Sequence, residues 1–142
     1  MRWLILPLTL LAFGAQAQPL DSRTMCPLAS ALTKVARAVD VSVANDPSVA
    51  TMRGEEIVRA ATQHDPSLLE PFGRVSVVAR VEGRNSSVLV CTADGRVALM
   101  EDAGCSPQSD SHLWNADLPC GFTLDLAAVC VRNAAPSANL CR

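Results

Sequence analysis

After the apolar run at the start of the chain, apolar residues recur at intervals of three and four: Met25, Leu28, Leu32, Val35 and Val39. This spacing places one apolar stripe along a helix, and Lys34 and Arg37 face away from it. Pro27 fits the first helical turn, where its missing N–H costs little. We therefore predict a helix over Cys26–Asp40.

A second, shorter helix is predicted over residues 54–64, GEEIVRAATQH. Its acidic residues, Glu55 and Glu56, come first, and His64 comes near its end, which suits the partial charges at the two ends of a helix. The residue before a proline avoids the α conformation, so Pro66 stops this helix.

Beyond the second helix the apolar period changes to two, which predicts strands. The segment 74–82 places four small apolar residues on one face: Val75, Val77, Ala79 and Val81. Residues 86–92 follow after a turn as a second strand, and Asp94 and Gly95 form a tight reversal into a third strand over 96–100. In that hairpin Val90 is expected opposite Leu99. These segments predict an antiparallel meander.

The segment 122–131, FTLDLAAVCV, fits two kinds of element. Its first half alternates like a fourth strand, whereas its second half suits a helix that starts near Asp125. We predict a short strand that continues into a helical turn. The predicted fold is α+β, with short N-terminal helices packed on a three- to four-stranded antiparallel sheet and stabilised by disulfides.

The first residues have the layout of a secretory signal peptide. Arg2 precedes an eleven-residue, largely apolar run, which is followed by Ala15-Gln16-Ala17. A bilayer core of roughly 30 Å needs about 20 apolar residues, so the run is too short to remain as an anchor. We predict cleavage of residues 1–17, which leaves 18–142 as a single small α+β domain in the periplasm or outside the cell, with no membrane span.

The charge of the chain makes nucleic acid a poor candidate partner. The net charge of −2 becomes −3 when Arg2 is removed with the signal peptide. The remaining basic residues are spread singly along the chain, so no basic run is available to neutralise a row of phosphates.

An even number of cysteines behind an export signal predicts disulfides. The six are Cys26, Cys91, Cys105, Cys120, Cys130 and Cys141. Their pairing is open from the sequence. Cys91–Cys105 and Cys105–Cys120 are both compatible with the predicted hairpin and the loop after it. No Cys-X-X-Cys occurs, which excludes thioredoxin-like redox sites and zinc ribbons.

The acidic residues after the hairpin match no metal-binding or catalytic pattern. The segment 101–117 contains no calcium-loop spacing and no His-Glu-X-X-His, so we expect a solvated acidic loop and neither a metal nor a cofactor. Glu101 and Asp102 are adjacent, and on a strand they would point to opposite faces. That arrangement excludes the facing carboxylates of a glycosidase.

The loop between Cys105 and Cys120 is the best candidate for a binding site. If disulfides hold both of its ends, it resembles the braced loops on which binding residues concentrate. Its candidate binding residues are His112, Trp114, Asp110 and Asp117. Trp114 is the only tryptophan left after signal cleavage. It fits two roles, a contact for a partner or a plug that packs the loop onto the sheet.

These observations favour an exported, non-catalytic binding module over an enzyme. Its ligand would be a protein or a small molecule of the cell envelope or the surroundings, and an inhibitor or accessory subunit fits this description. The alternative is a small secreted hydrolase that uses His112 with nearby Asp or Ser residues.

Overall fold

The computed structural model describes residues 22–105, 112–113 and 118–131. The described strands form one antiparallel sheet in the order β1-β2-β3-β4. The elements are α1 (Ser22–Asn45), α2 (Glu55–Thr62), β1 (Ser76–Glu82), β2 (Asn85–Cys91), β3 (Ala98–Ala103), β4 (His112–Leu113) and α3 (Leu126–Val131), with 3₁₀ segments at Val49–Thr51 and Pro66–Phe72. The predicted α+β fold, with N-terminal helices on a three- to four-stranded antiparallel sheet, is confirmed. The predicted signal peptide 1–17 lies outside the described residues.

Helix α1 is longer than the predicted Cys26–Asp40 at both ends. Its apolar stripe continues to Val43, which is buried with the rest of the stripe, so packing extends the helix past Asp40. The helix ends at Asn45, where the following Asp46 precedes a proline and therefore avoids the α conformation.

The helices cover one face of the sheet and form the main core with it. Antiparallel pairing puts Val88 opposite Ala79, and Val90 opposite both Val77 and Met100, so these side chains share that face. Buried residues of the helices pack against them: Leu32, Val35 and Val39 from α1, and Ile57 and Val58 from α2.

The other face of the sheet is covered by the C-terminal segment 118–131. Leu124 and Leu126 pack with Ala103 in a second buried cluster, and Val129 lies at its margin. The central strand β2 is consequently buried on both faces from Ser86 to Cys91.

Strand β3 contains one residue more than the predicted pairing with β2 allows. Cys91 pairs with Ala98, but Val90 pairs with Met100, so the prediction that Val90 lies opposite Leu99 is wrong. Leu99 is the extra residue of a β-bulge, which shifts every later residue of β3 by one position.

A tight reversal is present in this hairpin, but its turn spans residues 92–95 with Ala93 and Asp94 at its centre, one residue earlier than the predicted Asp94-Gly95 turn. Gly95 donates from its N–H to the carbonyl of Thr92 at 2.8 Å and has a φ of +69°, a conformation that favours glycine. The Thr92 hydroxyl and the Arg96 N–H donate to the Asp94 carboxylate, and these hydrogen bonds lower the pKa of Asp94.

Residues 122–125, predicted to form a short strand, have no regular secondary structure, and the helical part begins at Leu126. The reason is a long-range contact with strand β3. The N–H groups of Thr123 and Leu124 donate to the side chain of Glu101 instead of to the backbone of a neighbouring strand.

Gly104, directly after β3, lies in close contact with α1. A Cβ atom at this position would lie 2.5 Å from the carbonyl oxygen of Ala36, 2.6 Å from Cβ of Asp40 and 2.9 Å from Oγ of Ser86. These distances are too short for any side chain, so the packing of β3 on α1 requires glycine here.

We predict that Gly104→Ala lowers the free energy of unfolding by about 1–3 kcal/mol, because the added methyl group forces β3 and α1 apart. Gly121→Ala is the control, since a Cβ there would meet its nearest atom at 3.9 Å. Guanidinium denaturation of the oxidised proteins measures both. Equal stability of the two variants would contradict the close packing.

Candidate functional site

Two disulfides connect the sheet to the C-terminal segment. Cys91 is bonded to Cys120 and Cys105 to Cys130, with Cα–Cα distances of 5.8 Å and 5.6 Å. Both pairings considered from the sequence, Cys91–Cys105 and Cys105–Cys120, are therefore wrong. The physical reason is that the C-terminal segment lies on the second face of the sheet, where it brings its own cysteines to these two positions.

The disulfides also indicate where the protein resides. Two cross-links of this kind are typical of an oxidising, extracytoplasmic compartment. Cys26 is disulfide-bonded as well, and its partner lies outside the described residues. Of the helices in the described ranges, none combines the length and the apolar character needed to cross a bilayer.

The segment 106–117 is fastened to the sheet on both sides. On its N-terminal side the segment follows Cys105, which is disulfide-bonded. On its C-terminal side, residues 118–120 run antiparallel to 96–98. The Ala98 N–H donates to the Leu118 carbonyl at 2.9 Å, and the Cys120 N–H to the Arg96 carbonyl at 2.8 Å. The prediction that Cys105 and Cys120 hold both ends of this segment is confirmed.

Of the four predicted binding residues, the structure describes the backbone of one. His112 lies in β4, where its Cα pairs with that of Glu101. Asp110, Trp114 and Asp117 lie outside the described residues, so their role in binding stays a prediction.

The expectation of a solvated acidic loop is wrong for Glu101 and Asp102. Both belong to β3 and are buried, with exposed fractions of 3% and 0%. They do point to opposite faces of the sheet, as the spacing predicted. Asp102 faces α1 and accepts a hydrogen bond from the Thr33 hydroxyl at 2.7 Å.

Glu101 faces the C-terminal segment and holds it in place. Its Oε2 accepts three hydrogen bonds, from the Thr123 N–H at 2.6 Å, the Thr123 hydroxyl at 3.0 Å and the Leu124 N–H at 3.1 Å. Its Oε1 lies 3.7 Å from Nη2 of Arg80, and within the described ranges no group donates a hydrogen bond to this oxygen.

Arg80 completes this group from strand β1. Its Nε donates to Oγ of Ser87 at 3.2 Å, and its guanidinium nitrogens donate to the Glu82 carboxylate and the Leu124 carbonyl. The guanidinium carbon also lies 4.9 Å from the centre of the Phe122 ring. The strand period places Arg80 on the face opposite Val77 and Ala79, and nothing in the neighbouring sequence indicates that a distant segment covers this face.

The buried charges are thus engaged in holding layers together. The two carboxylates diverge, so they cannot act jointly on one substrate. Among the residues with a described side chain, no three His, Cys, Asp or Glu residues are placed to hold a metal ion. His64 is exposed in the turn after α2, 3.4 Å from the side-chain amide of Gln63.

Comparison with known proteins finds no matching family model, no similar curated protein and no similar solved structure. The function has to be inferred from the chemistry and geometry of the chain itself.

We predict that Glu101→Ala lowers the free energy of unfolding by about 3–5 kcal/mol, since it leaves Arg80 without its buried counter-charge and two N–H groups without an acceptor. Glu101→Gln retains an acceptor oxygen and should cost less. Glu82→Ala is the matched control, because Glu82 is the exposed partner of the same arginine and should contribute about 0–1 kcal/mol. Denaturation midpoints with the disulfides intact give the comparison. A Glu101→Ala variant as stable as Glu82→Ala would refute the anchoring role.

Proposed function

We propose that the protein is an exported binding module that presents the segment 106–117 to a protein or small-ligand partner. The observation that carries this proposal is the double fastening of that segment. Cys105 and Cys120, which flank it, are bonded to two different cysteines, and residues 118–120 are also hydrogen-bonded along 96–98.

Fastening both ends favours binding for a thermodynamic reason. A loop whose ends are fixed has fewer conformations to lose when a partner orders it, so more of its contact energy appears as affinity. Binding residues also concentrate on loops that a rigid scaffold supports. Here the scaffold is a sheet whose inner strand β2 is buried on both faces.

The composition of the segment suits such a role. Trp114 offers a large contact area of the kind that dominates interface energies. His112, Asp110 and Asp117 add polar groups that can set the orientation of a ligand. The proposed location is the periplasm or the surroundings, reached after cleavage behind Ala17, and an inhibitor or an accessory subunit is the proposed type of module.

One observation favours the second candidate function, a small hydrolase based on His112. The strand register puts His112 directly opposite Glu101, and residues paired in this way have Cβ atoms about 4.5–5.5 Å apart. A buried carboxylate next to a histidine is part of several hydrolytic sites. Three hydrogen bonds from the C-terminal segment already engage one oxygen of Glu101, so we rank this function second.

The binding proposal is tested by substitutions inside and outside the segment. The oxidised protein starting at Gln18 is used to isolate a partner from the envelope or culture fraction of its source organism, and the dissociation constant is then measured with the purified partner. We expect Trp114→Ala to weaken binding about tenfold or more, the effect typical of a central aromatic contact. Val41→Ala, which removes an exposed apolar side chain from α1, should leave binding unchanged.

Two results would contradict the proposal. In the first, Trp114→Ala and a replacement of 106–117 by Gly and Ser residues both bind like the unchanged protein while remaining folded. In the second, the protein hydrolyses a panel of chromogenic esters and amides and loses this activity in His112→Ala. That result would establish the hydrolase instead.

A further inference from the structure

The sheet edge opposite β4 borders an open groove. It lies between α2, the 3₁₀ segment Pro66–Phe72 and the start of β1, and its volume is about 240 Å³. Val58, Phe72, Val75 and Val77 form its apolar floor, and Glu55 and Arg59 stand at its rim. The groove is therefore suited to an apolar group that enters from solvent.

The charges at the rim compensate each other. Oε2 of Glu55 lies 3.7 Å from Nη2 of Arg59, one helical turn away, and both side chains are largely exposed. The rim consequently carries no net charge. It offers no advantage to a charged ligand over an uncharged one, which favours an uncharged side chain in the groove.

Next to the groove, the backbone of β1 is open for pairing. The Ala79 N–H donates to the Gly54 carbonyl at 3.1 Å, away from β2. Backbone groups of a strand alternate in direction, so the N–H and C=O groups of Val77 point the same way. No described backbone group outside the sheet hydrogen-bonds to Val77.

This open stretch is short and lacks the usual protection. It is bounded by Val75, whose N–H donates to the Phe72 carbonyl at 2.7 Å, and by Ala79, which Gly54 covers. Edge strands are normally blocked by charged residues, prolines or bulges. The residues from 75 to 78 are Val-Ser-Val-Val and contain none of these.

We propose that this edge and the groove bind an extended peptide, which pairs its backbone with Val77 as an added strand and inserts an uncharged apolar side chain into the groove. In this mode of recognition the main-chain hydrogen bonds supply affinity and the adjacent pocket supplies sequence preference. The site is on the edge away from β4 and does not depend on the function proposed for 106–117.

The geometry favours a peptide over a second copy of the chain. A stable protein dimer buries about 800 Å² on each partner. An edge that Gly54 limits to the few residues before Ala79 is too short to supply such an area through strand pairing. A short peptide needs no more than this edge and the groove beside it.

The test uses a display library of linear seven-residue peptides selected on the oxidised protein starting at Gln18. We expect enriched sequences with alternating apolar residues, and the best is synthesised as a probe. A scan with single N-methylated backbone amides should find one or two positions that weaken binding about tenfold, because each removes a main-chain hydrogen bond. This scan needs no change in the protein.

Two matched variants locate the site. Val77→Pro removes the outward N–H and should weaken the probe about tenfold, whereas Val81→Pro should change its affinity less than about twofold. Both valines are partly buried against the same core, and the strand alternation points both N–H groups outward. Trp114→Ala should leave probe binding unchanged, which separates this site from the segment 106–117.

The proposal is overturned if no peptide is enriched, if the probe binds Val77→Pro as well as it binds the unchanged protein, or if the N-methyl scan has no effect. Sedimentation should show a monomer. A dimer that dissociates in Val77→Pro but not in Val81→Pro would assign the edge to a second copy and would also overturn it.

Discussion

A carboxylate that is removed from water needs hydrogen-bond donors or a counter-charge, and strand β3 buries two carboxylates in succession. Because adjacent residues of a strand point to opposite faces, Glu101 and Asp102 have to be satisfied by different layers of the protein. Asp102 accepts a hydrogen bond from the Thr33 hydroxyl of α1. Glu101 receives two backbone N–H groups and a hydroxyl from the C-terminal segment, with Arg80 nearby. The position of β3 is thereby tied to the layer above it and to the layer below it.

The candidate site depends on this arrangement. The segment 118–131 covers the second face of the sheet, where Glu101 provides the acceptor for two N–H groups of its irregular backbone. Once it lies there, Cys120 and Cys130 reach Cys91 and Cys105. The same placement aligns 118–120 with 96–98 and so fixes both ends of 106–117. The opposite edge of the sheet differs: within the described part of the chain, Gly54 pairs with β1 at Ala79, and the edge before Ala79 borders a groove. A sheet with a buried inner strand, one flanking segment fastened at both ends and one open edge is consistent with a protein that binds a partner.

Local sequence patterns were sufficient to predict the elements whose apolar residues recur with a regular period. The stripe along α1 and the alternation of Val75, Val77, Ala79 and Val81 follow from the periods of a helix and a strand, and Asp94-Gly95 marks the turn. The covered second face could not be predicted this way. Arg80 lies on the second face of a predicted strand and Glu101 in a predicted solvated loop, and the burial of both results from a segment that is distant in the sequence. The bulge at Leu99 and the cysteine pairing were missed for related reasons, since register and cross-links depend on which segments meet in three dimensions.

The same limit applies to the candidate site. The cysteines flanking 106–117 were identified from the sequence, but their partners were not. The groove beside β1 combines residues of α2, a 3₁₀ segment and a strand, so no single sequence motif predicts it.

Amide hydrogen exchange of Thr123 and Leu124 shows whether Glu101 holds the C-terminal segment on the sheet. These residues belong to no helix or strand, so without the carboxylate their N–H groups would exchange quickly. If it does, both amides exchange as slowly as those of the buried strand β2 in the oxidised protein. Exchange at the rate of an unstructured peptide, while β2 remains protected, would contradict it.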